Sequence, residues 1–535
     1  IGKNIQKEDF TVIGIGDMAG DVFGNGMLLS QHIRLVGAFN HLHIFCDPNP
    51  DAATSFAERQ RLFDLPRSSW SDYNADLISK GGVIFERSAK SLQLTEEIRA
   101  CFGIKSEHVT PNELIHAMLK ADVELFWNGG IGTYIKATDE SHAEVGDRAN
   151  DTLRVNGDQL GAKVVGEGGN LGATQAGRIE YALAGGRINT DAIDNSAGVD
   201  CSDHEVNIKI LLGDVVTGGD MTLKQRDRLL VEMTDEVADL VLRDNYLQTQ
   251  ALTVLQSHGE TRTDEQIRFM KEVEQTGLLD RRIEGLPDDE ELADWRQRGR
   301  RFSRPELSVL FAYAKMDLYP ALLASDLPDD PDLEGDLVRY FPAALQERFR
   351  DGIMDHRLRR EIVATFTTNS IVNRAGITFV RRLSEESGHG VDQVARAYAV
   401  ARDAFGLRDV WAAIEALDNK VEAEVQTGMF EETMLLVERV TSWMLRHRTQ
   451  PMAMGETVAA FRPAVEALQK KLPELVSKAR RQSMRRAAER YEKAGVQKDT
   501  AATVASLRTL AAVCDVVDGA ESSGLDVIDI ATVFF

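Results

Sequence analysis

Short apolar runs alternate with helical patterns over residues 10–205. Six runs bounded by Gly, Asp or Asn are predicted to be strands: Phe10–Ile15, His43–Cys46, Val83–Phe85, Val123–Trp127, Lys163–Gly166 and Arg187–Asn189. Runs that are apolar throughout are typical of strands buried in a parallel sheet. Crossover helices fit between them, as at Pro50–Leu62 and Pro111–Lys120, where a proline stands at the first turn. Residues 1–205 are therefore predicted to form a doubly wound, Rossmann-like α/β domain with a mainly parallel sheet.

After about residue 205 apolar residues recur at every third or fourth position, with charged residues between them. This spacing is typical of amphipathic helices. Helices are predicted over Val206–Leu212, Lys224–Leu247, Thr263–Thr276, Arg304–Ser325, Gly335–Phe341, Pro342–Thr368, Val391–Ala404, Arg408–Leu417, Gly428–Arg446, Met454–Leu472, Pro473–Lys493 and Lys498–Leu510. No clear strand is predicted there. Residues 206–535 are therefore expected to form a large, mostly helical C-terminal domain.

The charge balance limits the class of partner. The chain of 535 residues has 62 Lys and Arg against 85 Asp and Glu, a net charge of −23, which argues against binding to nucleic acid or to an acidic membrane surface. The basic stretch at 478–486 lacks interleaved aromatic residues and is predicted to be a solvated helix face. Because no apolar run is long enough to cross a bilayer and the first residues lack a secretory signal, a cytoplasmic location is expected.

The cysteines and the first residues add two further expectations. Cys46, Cys101, Cys201 and Cys514 are far apart and form no C-x-x-C pair, so neither a disulfide framework nor a metal site is expected. The chain does not begin with Met, and its first predicted strand begins at Phe10. We therefore expect the natural protein to extend upstream.

A glycine-rich turn, Gly14-Ile15-Gly16-Asp17-Met18-Ala19-Gly20, joins the first predicted strand to a helical pattern over Asp21–Ser30. Glycines in this position let the backbone approach a pyrophosphate and direct free amide groups at it. The third glycine of the pattern G-x-G-x-x-G is displaced. A tight strand-to-helix turn with no ligand is the alternative reading of this motif alone.

The next predicted strand, Leu42–Cys46, ends in Asp47. An acidic side chain at the end of the second strand can accept hydrogen bonds from an adenosine ribose and would repel a 2′-phosphate. No arginine occurs in the adjoining 48–51 segment, so the pattern favours NAD over NADP. The alternative is that Asp47 caps the following helix.

Two later strands end in glycines, in the runs Leu125–Gly132 and Lys163–Asn170. In a doubly wound sheet, ligands lie beyond the carboxyl ends of the strands, and glycines there leave room for a cofactor. Two strand ends of the same design favour one common ligand.

These motifs, together with Asn195-Ser196-Ala197-Gly198-Val199-Asp200-Cys201-Ser202, resemble the cofactor half of the amino-acid dehydrogenases, and of the glutamate dehydrogenases in particular. The longer phrases at 24–36 and 44–70 resemble the large NAD-specific bacterial glutamate dehydrogenases. The resemblance implies NAD as cofactor, reversible oxidative deamination of L-glutamate to 2-oxoglutarate, and a homo-oligomer in the full-length protein.

The resemblance also implies roles for individual residues. The cofactor-binding residues would be Gly14, Gly16, Asp17 and Met18 at the pyrophosphate, Asp47 at the adenosine ribose, Asn128, Gly129 and Gly130 in a strand-end loop, and Asn170 and Asn195 at the nicotinamide. Ser202 would contact the side-chain carboxylate of glutamate, and is thus the one substrate-binding residue expected in this chain.

The family's catalytic lysine and aspartate belong to a substrate domain upstream of the nucleotide domain. Ser79-Lys80-Gly81-Gly82 is the only superficial match to the glycine-rich lysine motif, and it is predicted to be a turn. No catalytic residue is therefore assigned in this chain, and we expect the chain alone to bind NAD weakly or partially without turnover.

Two other function classes stay open. A methyltransferase that uses S-adenosylmethionine also suits a glycine turn followed by an acid at a strand end, but it gives no role to Asn170, Asn195 or Ser202. A non-catalytic regulatory or assembly module, in which the sheet has lost its ligand, is the second alternative.

Overall fold

A computed structural model describes residues 1–257 and 262–535. These residues divide into two compact units, one formed by Ile1–Asp200 with Asp280–Val309 and the other by Cys201–Leu279 with Leu310–Phe535. The first unit is a mixed α/β structure and the second is helical. The strands are β1 (Phe10–Ile15), β2 (Ile33–Phe39), β3 (His43–Cys46), β4 (Val83–Glu86), β5 (Leu92–Gln93), β6 (His108–Val109), β7 (Leu125–Asn128), β8 (Ile135–Lys136), β9 (Val155–Asn156) and β10 (Val164–Glu167).

The main sheet has six strands in the order β10-β7-β1-β2-β3-β4. The strands β1, β2, β7 and β10 run parallel to one another, whereas β3 is antiparallel to both β2 and β4. The predicted run Arg187–Asn189 contributes only an isolated bridge between Arg187 and Val164. The expectation of a mainly parallel sheet is thus confirmed for four neighbouring strands and is wrong for β3.

The reversal at β3 has a local cause. Strand β2 was not predicted, and only a short hairpin separates it from β3, whereas a parallel connection needs a dozen residues or more. The Asn40 side-chain oxygen accepts hydrogen bonds from the backbone N–H groups of Leu42 (2.8 Å) and His43 (2.6 Å). These bonds close the hairpin and fix β3 beside β2 in the opposite direction.

Helices cover both faces of the sheet. Leu114 and Met118 of one helix pack with Ile13 on one face, while Phe23 and Leu62 from two others pack with Val12 on the opposite face. The helices that begin in the first unit are α1 (Asp21–Gly26), α2 (Ala52–Asp64), α3 (Glu96–Phe102), α4 (Pro111–Leu119), α5 (His142–Val145), α6 (Gln175–Leu183), α7 (Asp191–Asp194), α8 (Ala197–Thr217), α12 (Asp289–Arg298) and α13 (Arg304–Leu323).

The unit boundaries differ in detail from a division at residue 205, which lies inside α8. Residues 280–309, assigned from the sequence to the helical half, pack with the first unit. Gln175 Nε2 donates a hydrogen bond to the backbone oxygen of Pro305 (3.2 Å), and the Arg304 guanidinium donates to Asn189.

The second unit contains the remaining helices of the described chain. They are α9 (Leu223–Glu232), α10 (Thr234–Ser257), α11 (Thr263–Gln275), α14 (Glu334–Tyr340), α15 (Ala343–Gln346), α16 (Arg350–Met354), α17 (Arg359–Ala375), α18 (Phe379–Ser387), α19 (Val391–Ala404), α20 (Leu407–Glu415), α21 (Ala423–His447), α22 (Met454–Leu475), α23 (Lys478–Lys493), α24 (Lys498–Leu510), α25 (Val513–Ser523) and α26 (Val527–Phe534). No strand occurs in 206–257 or 262–535, which confirms the helical prediction there.

Several predicted helix boundaries are wrong. The predicted helices Lys224–Leu247 and Pro342–Thr368 are each divided into shorter helices, and Pro473 lies inside α22 rather than at the start of the next helix. Ser477 caps α23 instead, because its side chain accepts a hydrogen bond from the Arg480 backbone N–H.

Taken singly, none of the described helices has both the length and the apolar composition needed to cross a membrane. Helices α24 and α25, with a 58° bend between them, meet that test only as a pair.

Candidate functional site

The candidate site lies at the carboxyl edge of the main sheet, where β1 and β7 are neighbours. Ile15 pairs with Asn128 at the last register position of these two strands. Successive strands of the sheet add outward from β1 in opposite directions, so the strand order reverses here, and ligands of open α/β sheets bind at such a reversal. The predicted residues that directly follow β1, β7 and β10 at this edge are Gly16, Asp17, Met18, Gly129, Gly130 and Asn170.

The glycines of this edge make room for Phe23 of α1. A Cβ atom on Gly16 would lie 2.6 Å from the Phe23 Cβ, and one on Gly129 would lie 2.8 Å from it. A Cβ on Gly14 would collide with the Phe23 ring. Gly16 also has a φ of +134°, which other residues rarely adopt. The glycines therefore allow α1 to approach the ends of β1 and β7 closely.

The turn between β1 and α1 presents backbone N–H groups. Helix α1 begins only at Asp21, so Asp17, Met18 and Ala19 belong to the turn that precedes it. In the part of the chain that the structure describes, no acceptor bonds the backbone N–H of these three residues. The buried Met18 side chain anchors the turn in the core. Free N–H groups on successive residues form a site suited to an anion.

An acidic group lies at the carboxyl end of β2, but it is Asp17. Asn40 directly follows β2, and its side-chain nitrogen donates a hydrogen bond to the Asp17 carboxylate. Arg87 lies at the same point, because its guanidinium donates to the Asn40 backbone oxygen (2.7 Å). This end of β2 therefore carries one carboxylate and one guanidinium.

The structure does not bring Asp47 to this edge, and its predicted placement is wrong. Because β3 runs antiparallel to β2, Asp47 lies beside Val36, toward the opposite end of β2, and its backbone N–H donates to the Val36 oxygen (3.0 Å). Its side chain is buried and accepts hydrogen bonds from the Ser79 backbone and hydroxyl groups. Burial raises the pKa of Asp47, opposed by the bonds from Ser79.

The loops after β7 and β10 are joined through Asn128. Its backbone oxygen accepts a hydrogen bond from Gly169 N–H (2.9 Å), and its side chain is 1% exposed. Near these loops Ile131 is 97% exposed and Leu171 is 67% exposed. Asn128 therefore supports the two loops from a buried position. The exposed apolar side chains are those of Ile131 and Leu171, which were not predicted as site residues.

The two asparagines predicted at the nicotinamide are brought together. The Asn195 side-chain nitrogen donates to the Asn170 side-chain oxygen (2.8 Å). They come from the loop after β10 and from the residue that ends α7, 25 positions apart in the chain. This pairing leaves the Asn170 side-chain N–H₂ and the Asn195 side-chain oxygen with complementary hydrogen-bonding capacity.

A buried charged network beneath these loops was not predicted. Arg178 of α6 donates two hydrogen bonds to Glu167 (2.7 and 2.8 Å) and lies 3.3 Å from Asp191. Asp191 accepts from the Leu171 N–H (2.8 Å), and Asp194 accepts from the Glu167 N–H (3.0 Å). No sequence pattern links Arg178 to the loops, because the network depends on how α6 packs beside β10.

Burial shifts the pKa of two carboxylates in this network. It raises the pKa of Glu167, with Arg178 opposing the shift, and it also raises the pKa of Asp194. Paired carboxylates beside one guanidinium hold the two loops in a fixed arrangement, since an unpaired buried charge is costly.

Ser202 belongs to the second unit and is exposed on α8. Its predicted contact with substrate stays a prediction.

Two family models match the chain. Residues 1–255 match the catalytic domain of bacterial NAD-glutamate dehydrogenase, and residues 299–535 match the glutamate dehydrogenase C-terminal model. Both matches agree with the resemblance found from the motifs.

Three relatives align with the whole chain, and each is named NAD-specific glutamate dehydrogenase. The identity is 52% over 535 residues for the protein from Halomonas elongata, 52% over 534 residues for that from Pseudomonas aeruginosa and 44% over 541 residues for that from Mycobacterium tuberculosis. Each alignment covers 100% of this chain and 33% of the relative. The chain therefore spans about a third of the length of the curated relatives it matches.

Proposed function

Because glutamate dehydrogenase models match both halves of the chain, it belongs to the bacterial NAD-specific glutamate dehydrogenase family, and we propose that it binds NAD at the carboxyl edge of its sheet. The observation that carries this proposal is that the free N–H groups follow β1 and the Asn170–Asn195 pair follows β10 at the same edge of the sheet. These groups flank the strand reversal at which doubly wound, Rossmann-like sheets bind dinucleotides.

The residues at this edge fit the parts of the cofactor. The N–H groups of Asp17, Met18 and Ala19 would bind the pyrophosphate, with Gly14 and Gly16 allowing the close approach of α1. Asn170 and Asn195 would bind the nicotinamide carboxamide through complementary amide groups and fix the ring face that is exposed. Exposed Ile131 and Leu171 would cover apolar parts of the ligand. NAD supplies the hydride-accepting ring, and the protein supplies its position.

Asp17 takes the role first given to Asp47. Its carboxylate, held by Asn40 at the end of β2, would accept hydrogen bonds from the adenosine ribose hydroxyls. The same negative charge would repel a 2′-phosphate, although Arg87 lies close enough to moderate that repulsion. Discrimination between NAD and NADP would thus depend on the balance of one carboxylate and one guanidinium.

We further propose that the full-length enzyme oxidatively deaminates L-glutamate to 2-oxoglutarate and ammonia. In this chain Ser202 would contact the substrate carboxylate, and no residue is assigned to proton transfer. Lys80, in the superficial lysine motif, is 93% exposed in its side chain and pairs with Glu97 (2.8 Å), which fits a surface turn. The chain alone is therefore expected to bind NAD without turnover.

Calorimetric titration of the chain with NAD, NADP and S-adenosylmethionine tests the cofactor assignment. We expect NAD to bind with the highest affinity and S-adenosylmethionine not to bind. Binding of S-adenosylmethionine alone would support the methyltransferase instead, and binding of none of the three would favour an assembly module.

Substrate choice is tested separately. NAD reduction by the full-length protein is followed with L-glutamate and with branched-chain and aromatic amino acids. Glutamate is expected to give the highest kcat/KM, and a preference for another amino acid would overturn the substrate assignment while leaving the cofactor site intact.

A further inference from the structure

A cleft in the helical second unit is lined by five arginines. It has a volume of about 510 Å³, within the range of small-molecule sites. The arginines come from four helices: Arg382 of α18, Arg439 and Arg446 of α21, Arg480 of α23 and Arg508 of α24. Three carboxylates, Glu386, Glu438 and Asp515, also line the cleft. Positive charge therefore exceeds negative charge there, in a chain whose net charge is −23.

The carboxylates of the cleft already have partners. Arg382 pairs with Glu386 (3.3 Å) and Glu438 (3.0 Å), while Asp515 accepts a hydrogen bond from the Trp443 ring nitrogen (2.8 Å). Arg508 is paired outside this set, with Glu432 (2.5 Å). These pairs neutralise two of the five arginines.

The other three arginines keep unneutralised charge and outnumber the one lining carboxylate, Asp515, whose partner Trp443 is neutral. Arg439 donates only to a backbone oxygen, that of Arg508 (3.4 Å), and Arg446 donates to the backbone oxygen of Ser442 (3.1 Å). Within the described ranges, no carboxylate lies at ion-pair distance from Arg439, Arg446 or Arg480. Like charges held together on one surface repel, so this arrangement favours an anion that bridges them.

Helix α23 provides an independent reason for an anion. Its first turn contains Lys478, Arg480 and Arg481 and no acidic residue. Cations at a helix N-terminus oppose the helix dipole, which favours negative charge at that end. An anion in the cleft beside Arg480 would offset both the dipole and the repulsion between the guanidinium groups.

We propose that this cleft binds a small molecule that carries two linked phosphate groups. Guanidinium groups bind phosphate oxygens through paired hydrogen bonds, and unneutralised arginines on two helices, α21 and α23, suit a ligand with several anionic oxygens. Apolar Leu383 and the ring of Trp443 also line the cleft and would contact an uncharged part of the ligand. The site lies entirely in the second unit and does not depend on the NAD site.

Inorganic pyrophosphate is the probe for a calorimetric test. The titration is fitted to two sites, because the N–H groups of Asp17, Met18 and Ala19 would also bind pyrophosphate, and the affinity of the cleft is the one compared. Arg439→Gln/Arg446→Gln removes two of the unneutralised charges, and Arg462→Gln/Arg485→Gln makes the same charge change at exposed residues that do not line the cleft. We expect the first pair to weaken pyrophosphate binding at least tenfold, with the control pair within twofold of the parent chain.

Two controls keep the test decisive. Circular dichroism and thermal unfolding of both double variants establish that they fold, and Arg480→Gln provides a second cleft variant on another helix. Raising the salt concentration should weaken binding to the parent chain more than to the cleft variants. Equal pyrophosphate affinity in all folded variants, or no binding to the parent chain, would overturn the proposal.

Discussion

Arg178 of α6 meets Glu167 at the end of β10 through two hydrogen bonds of 2.7 and 2.8 Å, and both side chains are buried. The same guanidinium lies 3.3 Å from Asp191, whose carboxylate accepts the Leu171 N–H. One arginine thus joins the strand end to both segments that carry the paired asparagines. Its contribution to the proposed cofactor site is to position those segments.

Replacing Arg178 tests this positioning role. Arg178→Met leaves Glu167 buried without its cation, which is expected to lower the free energy of unfolding by roughly 3–5 kcal/mol. Chemical denaturation measures the loss, and calorimetry should show weaker NAD binding in the folded variant. The control Arg148→Met changes an exposed arginine of the same unit. Glu167→Gln/Arg178→Met should recover part of the stability; no recovery would contradict the pairing as its cause.

The Asn170–Asn195 contact predicts coupled effects on NAD affinity. Asn170→Ala and Asn195→Ala should each weaken binding by about 1 kcal/mol, the usual contribution of one hydrogen bond. Because the two side chains are bonded to each other, the double variant should lose less than the sum of the single losses. Asn112→Ala, which removes an exposed side-chain bond to Thr152, serves as the control. Unchanged NAD affinity in both single variants would exclude these residues from the site.

Substitutions of Asp17 and of Asp47 are expected to differ in their effect on the preference for NAD over NADP. Asp17→Asn should weaken NAD binding severalfold and narrow the difference between NAD and NADP, because the charge that repels a 2′-phosphate is removed while Arg87 remains. Asp47→Asn keeps an acceptor for Ser79 and lies away from the edge, so the affinities for both cofactors should stay the same. Calorimetric titration of the two variants with both cofactors distinguishes the assignments. If only Asp47→Asn changed the preference between NAD and NADP, Asp47 and not Asp17 would be the residue at the adenosine ribose.

The protonation of buried His356 is expected to make the stability of the second unit depend on pH. The ring Nδ1 accepts the Leu358 N–H (3.1 Å), so Nε2 carries the hydrogen and donates to the Asn207 backbone oxygen (3.1 Å). Burial lowers the pKa of His356 below its ordinary value of 6.5. A lowered histidine pKa contributes stability above pH 6.5, and that stability is lost as the pH falls, because the unfolded chain takes up the proton first.

The free energy of unfolding should therefore fall between pH 7.5 and 5.5, by up to about 1.4 kcal/mol per pH unit for one proton. Buried His204, whose pKa burial also lowers, adds to the same trend. His356→Gln should reduce the slope, measured by chemical denaturation at several pH values, whereas exposed His108→Gln should not. An equal slope in the parent chain and His356→Gln would contradict a neutral buried imidazole.

The sequence identifies the elements of the sheet better than their directions. Apolar runs marked β1, β3, β4, β7 and β10 correctly. Strand β3 is buried throughout, as expected for a strand covered on both faces, whereas β4 is only partly buried. Strand β2 was missed between a helical pattern and the next run, and the hairpin closed by Asn40 then reverses β3. That single reversal moves Asp47 away from the edge, although the spacing alone made it the natural acidic residue.

Among the site residues, too, the sequence identifies individual residues better than the contacts between them. Asn170 and Asn195 were identified through family motifs, and their contact was not, because 25 residues separate them in the chain. Arg178 carries no motif, since its role depends on the packing of α6 beside β10. Sequence patterns therefore name residues that follow strand ends, while the groups that hold those strand ends in place depend on tertiary packing.

Hydrogen exchange of the chain with and without NAD locates the bound cofactor directly. NAD bound at the carboxyl edge should slow amide exchange in two segments, 16–20 and 168–172, since the first presents free N–H groups and the second carries Asn170. Asn170→Ala/Asn195→Ala should show this protection only at higher NAD concentration. Protection confined to other segments, or saturating NAD without protection of 16–20, would exclude NAD binding at the carboxyl edge of the sheet.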